Sequence, residues 1–124
     1  MSKLKRHNYK NLKIWSLGIQ ITDDVFSITN TFPKEEKFGL ISQLNRCSVS
    51  IPSNIAEGTS KSTEKHFKNY LETALGSAFE WETQLILSRK LEYINQEKFE
   101  EFENKINRIQ NMIFKFKTKL SENN

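Results

Sequence analysis

Phe99-Glu100-Glu101-Phe102-Glu103-Asn104-Lys105-Ile106-Asn107-Arg108-Ile109-Gln110-Asn111-Met112-Ile113-Phe114-Lys115-Phe116-Lys117-Thr118-Lys119-Leu120 is the stretch that decides the fold. Phe99, Phe102, Ile106, Ile109, Ile113, Phe116 and Leu120 recur at steps of three and four, the period of one face of an α-helix. The steps alternate as in a coiled-coil seam, and Met112 and Phe114 lie off it. Such a helix buries one stripe and solvates the rest, so it needs other helices to cover it. Asn95 is placed to cap its start.

Upstream, the same period recurs three times. Trp15, Gly18, Ile19, Thr22, Val25, Phe26 and Thr29 predict a helix from about Asn11 to Thr31. Ile14, Leu17, Ile21 and Ile28 give it a second apolar stripe, so it calls for more than one partner or for a neighbouring subunit. Phe32-Pro33 ends it, because proline disfavours the helical conformation in the residue before it. A second helix is predicted from about Lys34 to Glu57, with Glu35 and Glu36 in its first turn and Gly58 as its stop. Its stripe is Ile41, Leu44, Ser48, Ile51 and Ile55. Pro52 lies inside it and removes the bond to the Ser48 carbonyl, which predicts a kink rather than a break. Ser62 is placed to cap a third helix from about Thr63 to Leu91, with Phe67, Leu71, Ala74, Ala78, Trp81 and Leu85 inward. Gly76 in mid-helix costs about 1 kcal/mol relative to alanine, which predicts a close helix–helix approach there. The predicted fold is all-α: an up-down-up-down four-helix bundle over 11–120, flanked by a flexible basic tail (1–10) and a frayed tail (121–124).

The totals agree. A chain of 124 residues is one domain, and four glycines with two prolines leave few breaks. Hydrophobic residues at 36% against 27% charged suit two-sided helices. Cys47 is the single cysteine, so no internal disulfide forms and a cytoplasmic setting is expected. No segment approaches the roughly 20 apolar residues of a membrane span, and no leader-like apolar stretch follows the basic start. Net charge is +4, and residues 1–13 carry Lys3, Lys5, Arg6, Lys10 and Lys13 with no acid.

Gln43-Leu44-Asn45-Arg46-Cys47-Ser48-Val49-Ser50-Ile51-Pro52-Ser53-Asn54-Ile55-Ala56-Glu57-Gly58 resembles the four-helix bundle family first met as proteins encoded in intervening sequences of bacterial 23S ribosomal RNA genes, sometimes labelled an S23 ribosomal protein. The family pattern is close to Q-L-x-R-A-x-x-S-I-x-x-N-I-A-E-G, and Cys47 replaces its alanine. Leu12-Lys13-Ile14-Trp15, with Phe32-Pro33 and Glu36, resembles the family's opening block. Leu71-Glu72-Thr73-Ala74-Leu75-Gly76-Ser77, with Glu80 and Glu82, resembles its third-helix block. The resemblance implies ring-shaped homopentamers and supplies no reaction. A relative, the accessory variability protein of diversity-generating retroelements, binds nucleic acid and partners a reverse transcriptase.

Two groups of residues are functional candidates. Arg46, Asn54 and Glu57 are polar residues on an apolar helix. They form either a phosphate site with Arg46 as bidentate donor or a structural network with Glu80 or Glu82 as counter-charges, and the network is preferred. The second group is basic: Lys3, Lys5, Arg6, Lys10, Lys13, Lys61, Lys65, Lys68, Lys115 and Lys119. These make either a phosphate-binding surface, multiplied in an oligomer, or a solvated face. Ser50, Ser53 and Ser77 have no histidine nearby in sequence to act as base, since His7 and His66 stand at helix ends. Cys47 reads as a buried small hydrophobe. No metal-ligand spacing occurs, and Glu64 is two residues from His66 where di-iron ligation needs three. No cofactor is expected.

The leading expectation is a non-catalytic, homo-oligomeric scaffold associated with RNA or DNA. The alternative is a module that docks a partner enzyme through exposed apolar residues such as Trp81 or Phe114. An enzyme would need Arg46, Asn54, Glu57 and Glu80 to converge on one cavity.

Overall fold

The computed structural model describes residues 7–122, and four long helices hold most of them. They are α1 (Lys13–Thr29), α2 (Leu40–Thr59), α3 (Glu64–Lys90) and α4 (Gln96–Glu122). Short 3₁₀ turns at Tyr9–Asn11 and Lys34–Glu36 precede α1 and α2. Among the described residues there is no strand, and no helix is long and apolar enough to cross a membrane.

The seam of α4 points inward. Phe102, Ile106, Ile109, Ile113 and Leu120 are buried, while Phe99 and Phe116 are half-buried against them. They meet Ile14, Ile21, Val25 and Ile28 of α1, Leu44, Ile51 and Ile55 of α2, and Phe67, Leu71, Trp81 and Leu85 of α3 in one core. Each fully buried side chain of this size contributes about 1.5–3 kcal/mol. Polar contacts set the pairing around it. Arg46 reaches Glu80 and Ser50 meets Ser77 between α2 and α3. Glu82 accepts from Gln110, and Glu72 faces Lys117, between α3 and α4. Lys105 donates to Asp24 at 2.8 Å between α4 and α1. In each repeated pairing, numbers rise on one helix as they fall on its neighbour.

Helix α2 runs through Pro52 without interruption. Proline has no N–H, so the Ser48 carbonyl four residues earlier loses its helical partner. Thr22 of α1 replaces it: its Oγ1 donates to that carbonyl at 2.9 Å. The same hydroxyl is 3.1 Å from the Gly18 carbonyl of its own helix. One turn before Thr22, Gly18 makes room for the ring, since a Cβ there would stand 3.2 Å from three Pro52 atoms. A glycine and a threonine four apart on α1 thus complete a proline on α2.

Several boundaries differ from the sequence expectation. The second helix does not begin at Lys34: the chain makes one 3₁₀ turn, breaks at Gly39 (φ −108°, ψ −110°), and restarts at Leu40. At that break the Glu36 carboxylate accepts from the Tyr93 hydroxyl at 2.7 Å and from the N–H of Leu40, the first residue of α2, at 3.1 Å. The Tyr93 bond first, and the Leu40 bond second, hold its carboxyl below the usual glutamate range. The same bond to Glu36 raises the Tyr93 phenol. The cap of α3 is Thr63 rather than Ser62; Thr63 Oγ1 accepts from the His66 N–H at 3.2 Å. Asn95 caps α4 by accepting from Lys98 at 2.7 Å, and α4 runs on to Glu122, into the stretch expected to fray. Between α3 and α4, Glu92 takes a left-handed φ of 63°. Tyr93 N–H then bonds to Ser88 and Glu92 N–H to Arg89, the Schellman pattern that usually carries glycine at this place.

Two glycines have roles other than those expected. Gly58 does not end α2 in a left-handed turn; no glycine has positive φ, and the helix continues through Thr59. It serves close packing: a Cβ would lie 2.8 Å from Phe67 and 2.9 Å from Tyr70. Gly76 makes no close approach within the chain, and a Cβ there would meet nothing within 4 Å.

Candidate nucleic-acid interface

Aromatic packing gathers four helix ends at one place. The His7 ring lies 5.5 Å from Phe67 and 5.7 Å from Phe116, and those two phenyl rings are 5.7 Å apart. This joins the approach to α1, the first turn of α3 and the last turns of α4. The end of α2 joins them through Gly58, which abuts Phe67 and Tyr70. The chain is therefore tied to the bundle from His7 onward. Lys3, Lys5 and Arg6 lie outside the described residues.

Each basic candidate within the described residues sits near these ends. Lys10 and Lys13 are exposed at the start of α1. Lys65 is exposed, and Lys68 half-buried, in the first turns of α3. Lys61 lies in the turn before α3, with its ammonium 4.9 Å from the Tyr70 ring centre. Lys115 and Lys119 are exposed one turn apart near the end of α4. Acids are present too: Glu57, Glu64 and Glu72 occupy the same end, the last 3.9 Å from Lys117.

A cleft of about 640 Å³ opens between the start of α1 and the end of α4. Leu12, Met112, Phe114 and Phe116 give it apolar walls, and Lys13, Lys115 and Lys119 supply its charge. Among residues 7–120 no carboxylate lines it. Sequence reasoning grouped Lys115 and Lys119 with the other cations but did not find the cleft. Its sequence signal is Met112 and Phe114, the two apolar residues off the α4 seam that face no partner predicted from periodicity.

The polar candidates separate. Arg46 pairs with Glu80 at 3.3 Å and also bonds to Gln43 at 2.7 Å, with both members of the ion pair more than half exposed. Such a pair is worth at most about 1 kcal/mol. Asn54 turns to Ser50, donating to its carbonyl at 2.8 Å, and Ser50 bonds to Ser77 at 2.7 Å. Glu57 is exposed. Glu82 faces α4, where Gln110 donates to it at 2.9 Å. Arg46, Asn54, Glu57, Glu80 and Glu82 therefore divide between two helix pairs instead of meeting in one cavity. Cys47 is buried, with burial first and the Glu80 carboxylate second pushing its thiol up. Among the described residues no three His, Cys, Asp or Glu side chains group to hold a metal.

The exposed apolar residues also differ from expectation. Trp81 is fully buried in the core and edge-on to Phe102 at 6.4 Å, so it offers nothing to a partner, while Phe114 is about half exposed. Phe26 and Phe38, at 79% and 87% exposure, are the most open aromatic side chains among the described residues. On α1 and α2, Trp15, Ile19, Val49 and Ala56 line a shallow groove of about 290 Å³. Phe79 and Ile86, both exposed and seven residues apart, share one side of α3.

The family model described as 23S rRNA-intervening sequence protein matches residues 10–115. A solved structure of a protein of unknown function from the S23 ribosomal protein family of Bacteroides thetaiotaomicron superposes with a TM-score of 0.76 at 24% identity. The match covers 83% of this chain and 96% of that one, and it shows the shared fold. No curated protein matches the chain.

Proposed function

Since the chain belongs to the 23S rRNA-intervening sequence protein family, we propose that it is a non-catalytic, homo-oligomeric scaffold that associates with nucleic acid through one basic end. In this reading it is an up-down-up-down four-helix bundle, bent at Pro52, that works in the cytoplasm. The carrying observation is the gathering of Lys10, Lys13, Lys61, Lys65, Lys68, Lys115 and Lys119 around the helix ends joined by His7, Phe67 and Phe116. A cluster of ammonium groups binds a polyanion by releasing its counterions, without reading bases.

Assembly multiplies that charge. The α1/α2 groove and the Phe79–Ile86 ridge of α3 are different surfaces on different helices. A contact between unlike faces is heterologous and closes into a ring when the rotation permits. Gly76, beside the ridge and open on its Cβ side, suits close approach by a neighbouring copy. The count of five subunits rests on the family resemblance alone.

Fluorescence anisotropy of labelled RNA and DNA, titrated across salt, tests the reading. Expected is binding at about 50 mM salt that falls by roughly a thousandfold or more by about 200 mM, with large losses when Lys61, Lys65 and Lys68 are replaced by Glu. Absence of binding at low salt, or indifference to those substitutions, overturns it. Sedimentation of a stable monomer at micromolar concentration overturns the assembly. A second reading, docking of a partner protein, is favoured by Phe26 and Phe38, whose rings stand open to solvent. It predicts a complex that survives high salt and is lost on Phe26→Ala or Phe38→Ala.

A further inference from the structure

We infer that the cleft between the start of α1 and the end of α4 takes single-stranded nucleic acid, with unstacked bases against its apolar walls and phosphates on its lysines. This rests on the nucleic-acid reading above and adds to it which form of polyanion is bound and where.

The cleft combines two properties that a merely solvated basic face lacks. Its walls are apolar, with Leu12, Met112 and Phe116 packed against the core and the half-exposed Phe114 ring beside them. Among residues 7–120 its charge has one sign, because Lys13, Lys115 and Lys119 line it and no acid of that range does. Exposed apolar surface inside a basic patch is costly in water and is covered best by a ligand that joins an apolar part to a negative part. A single strand alternates base and phosphate in this way, and aromatic side chains in a basic groove bind it by stacking. A duplex hides its bases in the stack and presents phosphates alone, so it leaves the apolar walls wet.

An acidic peptide or an anionic amphiphile also joins a negative group to an apolar one. The charge distribution favours the longer ligand. Lys115 and Lys119 are one helical turn, about 6 Å, apart along α4. Beyond the cleft the cations continue across the same end to Lys10, Lys65 and Lys68. An extended polyanion uses all of them, whereas one carboxylate or headgroup uses only those at the rim.

The test compares a twenty-four-nucleotide single strand with a twelve-base-pair, G·C-rich duplex of about equal phosphate count, by anisotropy at one low salt concentration, using the full chain. Expected is tighter binding of the single strand. Phe114→Ala, at an exposed position, lowers single-strand affinity by about fivefold to a hundredfold, the range of one base–aromatic stack, and leaves duplex affinity unchanged. Lys115→Glu with Lys119→Glu weakens both. A 4-thiouridine strand crosslinks to residues within 11–14 or 112–119. Equal binding of the two forms with a silent Phe114→Ala, while the lysine changes still act, overturns the cleft assignment and leaves charge-based association standing. Poly-glutamate competing as well as the oligonucleotide, or crosslinks confined to residues outside 11–14 and 112–119, overturns it equally. Failure of every nucleic acid to bind overturns the function proposed above and this inference together.

Discussion

Replacing Thr22 by valine keeps the side chain's shape and removes one hydroxyl. In the folded chain that hydroxyl is the donor to the Ser48 carbonyl, at 2.9 Å. Ser48 is fully buried, and the helical donor that would serve its carbonyl is absent because residue 52 is proline. The substitution therefore leaves a buried acceptor without a partner, which costs about 1–3 kcal/mol. At this chain length 1 kcal/mol moves the melting temperature by roughly 4 °C, so a fall of about 4–12 °C is expected. The same change in a Pro52→Ala background has a different outcome. The alanine restores an N–H that the Ser48 carbonyl accepts within α2, and Thr22→Val then costs well under about 1 kcal/mol. Urea unfolding of the four proteins at one concentration measures the coupling, expected at about 1–2 kcal/mol, above the roughly 0.5 kcal/mol scatter of independent sites. An equal cost of Thr22→Val in both backgrounds would refute the assignment of Thr22 as the replacement donor.

Three further outcomes are expected. Gly58→Ala drives a methyl to within 3 Å of Phe67 and Tyr70 and destabilises by about 1–3 kcal/mol; a melting temperature equal to wild type in thermal unfolding would show that the two rings move aside at no cost. Glu92→Gly relieves the left-handed backbone at φ 63° and stabilises by about 0.5–1 kcal/mol, and no change or a loss in a urea titration would show that the Glu92 side chain contributes more than its strain. Glu36 has a carboxyl lowered by Tyr93 and by the Leu40 N–H, so its ionised form is favoured by folding: the stabilisation is complete above the unfolded pKa and is lost as pH falls through the folded value. Wild type should accordingly lose more stability than Tyr93→Phe between about pH 5 and pH 3, and parallel pH profiles would sink that account.

Helicity, the number of long helices and the inward stripes of α2, α3 and α4 are legible in the chain alone; on α1 the sequence offers two stripes, and the fold buries Ile14, Ile21 and Ile28 of one with Gly18, Val25 and Thr29 of the other while Phe26 stays exposed. Those properties are local: a period of 3.6 is written in residues that follow one another, and Ile106, Ile109 and Ile113 need no knowledge of their partners to declare a face. The Asn95 cap and the core stripe of α3 were legible for the same reason. Features that join residues far apart in the chain emerge only from the folded molecule. Tyr93 meets the Glu36 carboxylate across 57 positions, beside the break in the expected second helix, and Thr22 completes Pro52 from another helix. Gly58 packs where its type suggested a turn, and Gly76 faces open space where its type suggested packing. The Lys residues could be counted in sequence, but their placement around one end, and the apolar cleft that three of them line, follow from how the helix termini meet at His7, Phe67 and Phe116. Spacing along a chain records which face is apolar; it does not record which remote donor, ring or void that face will find.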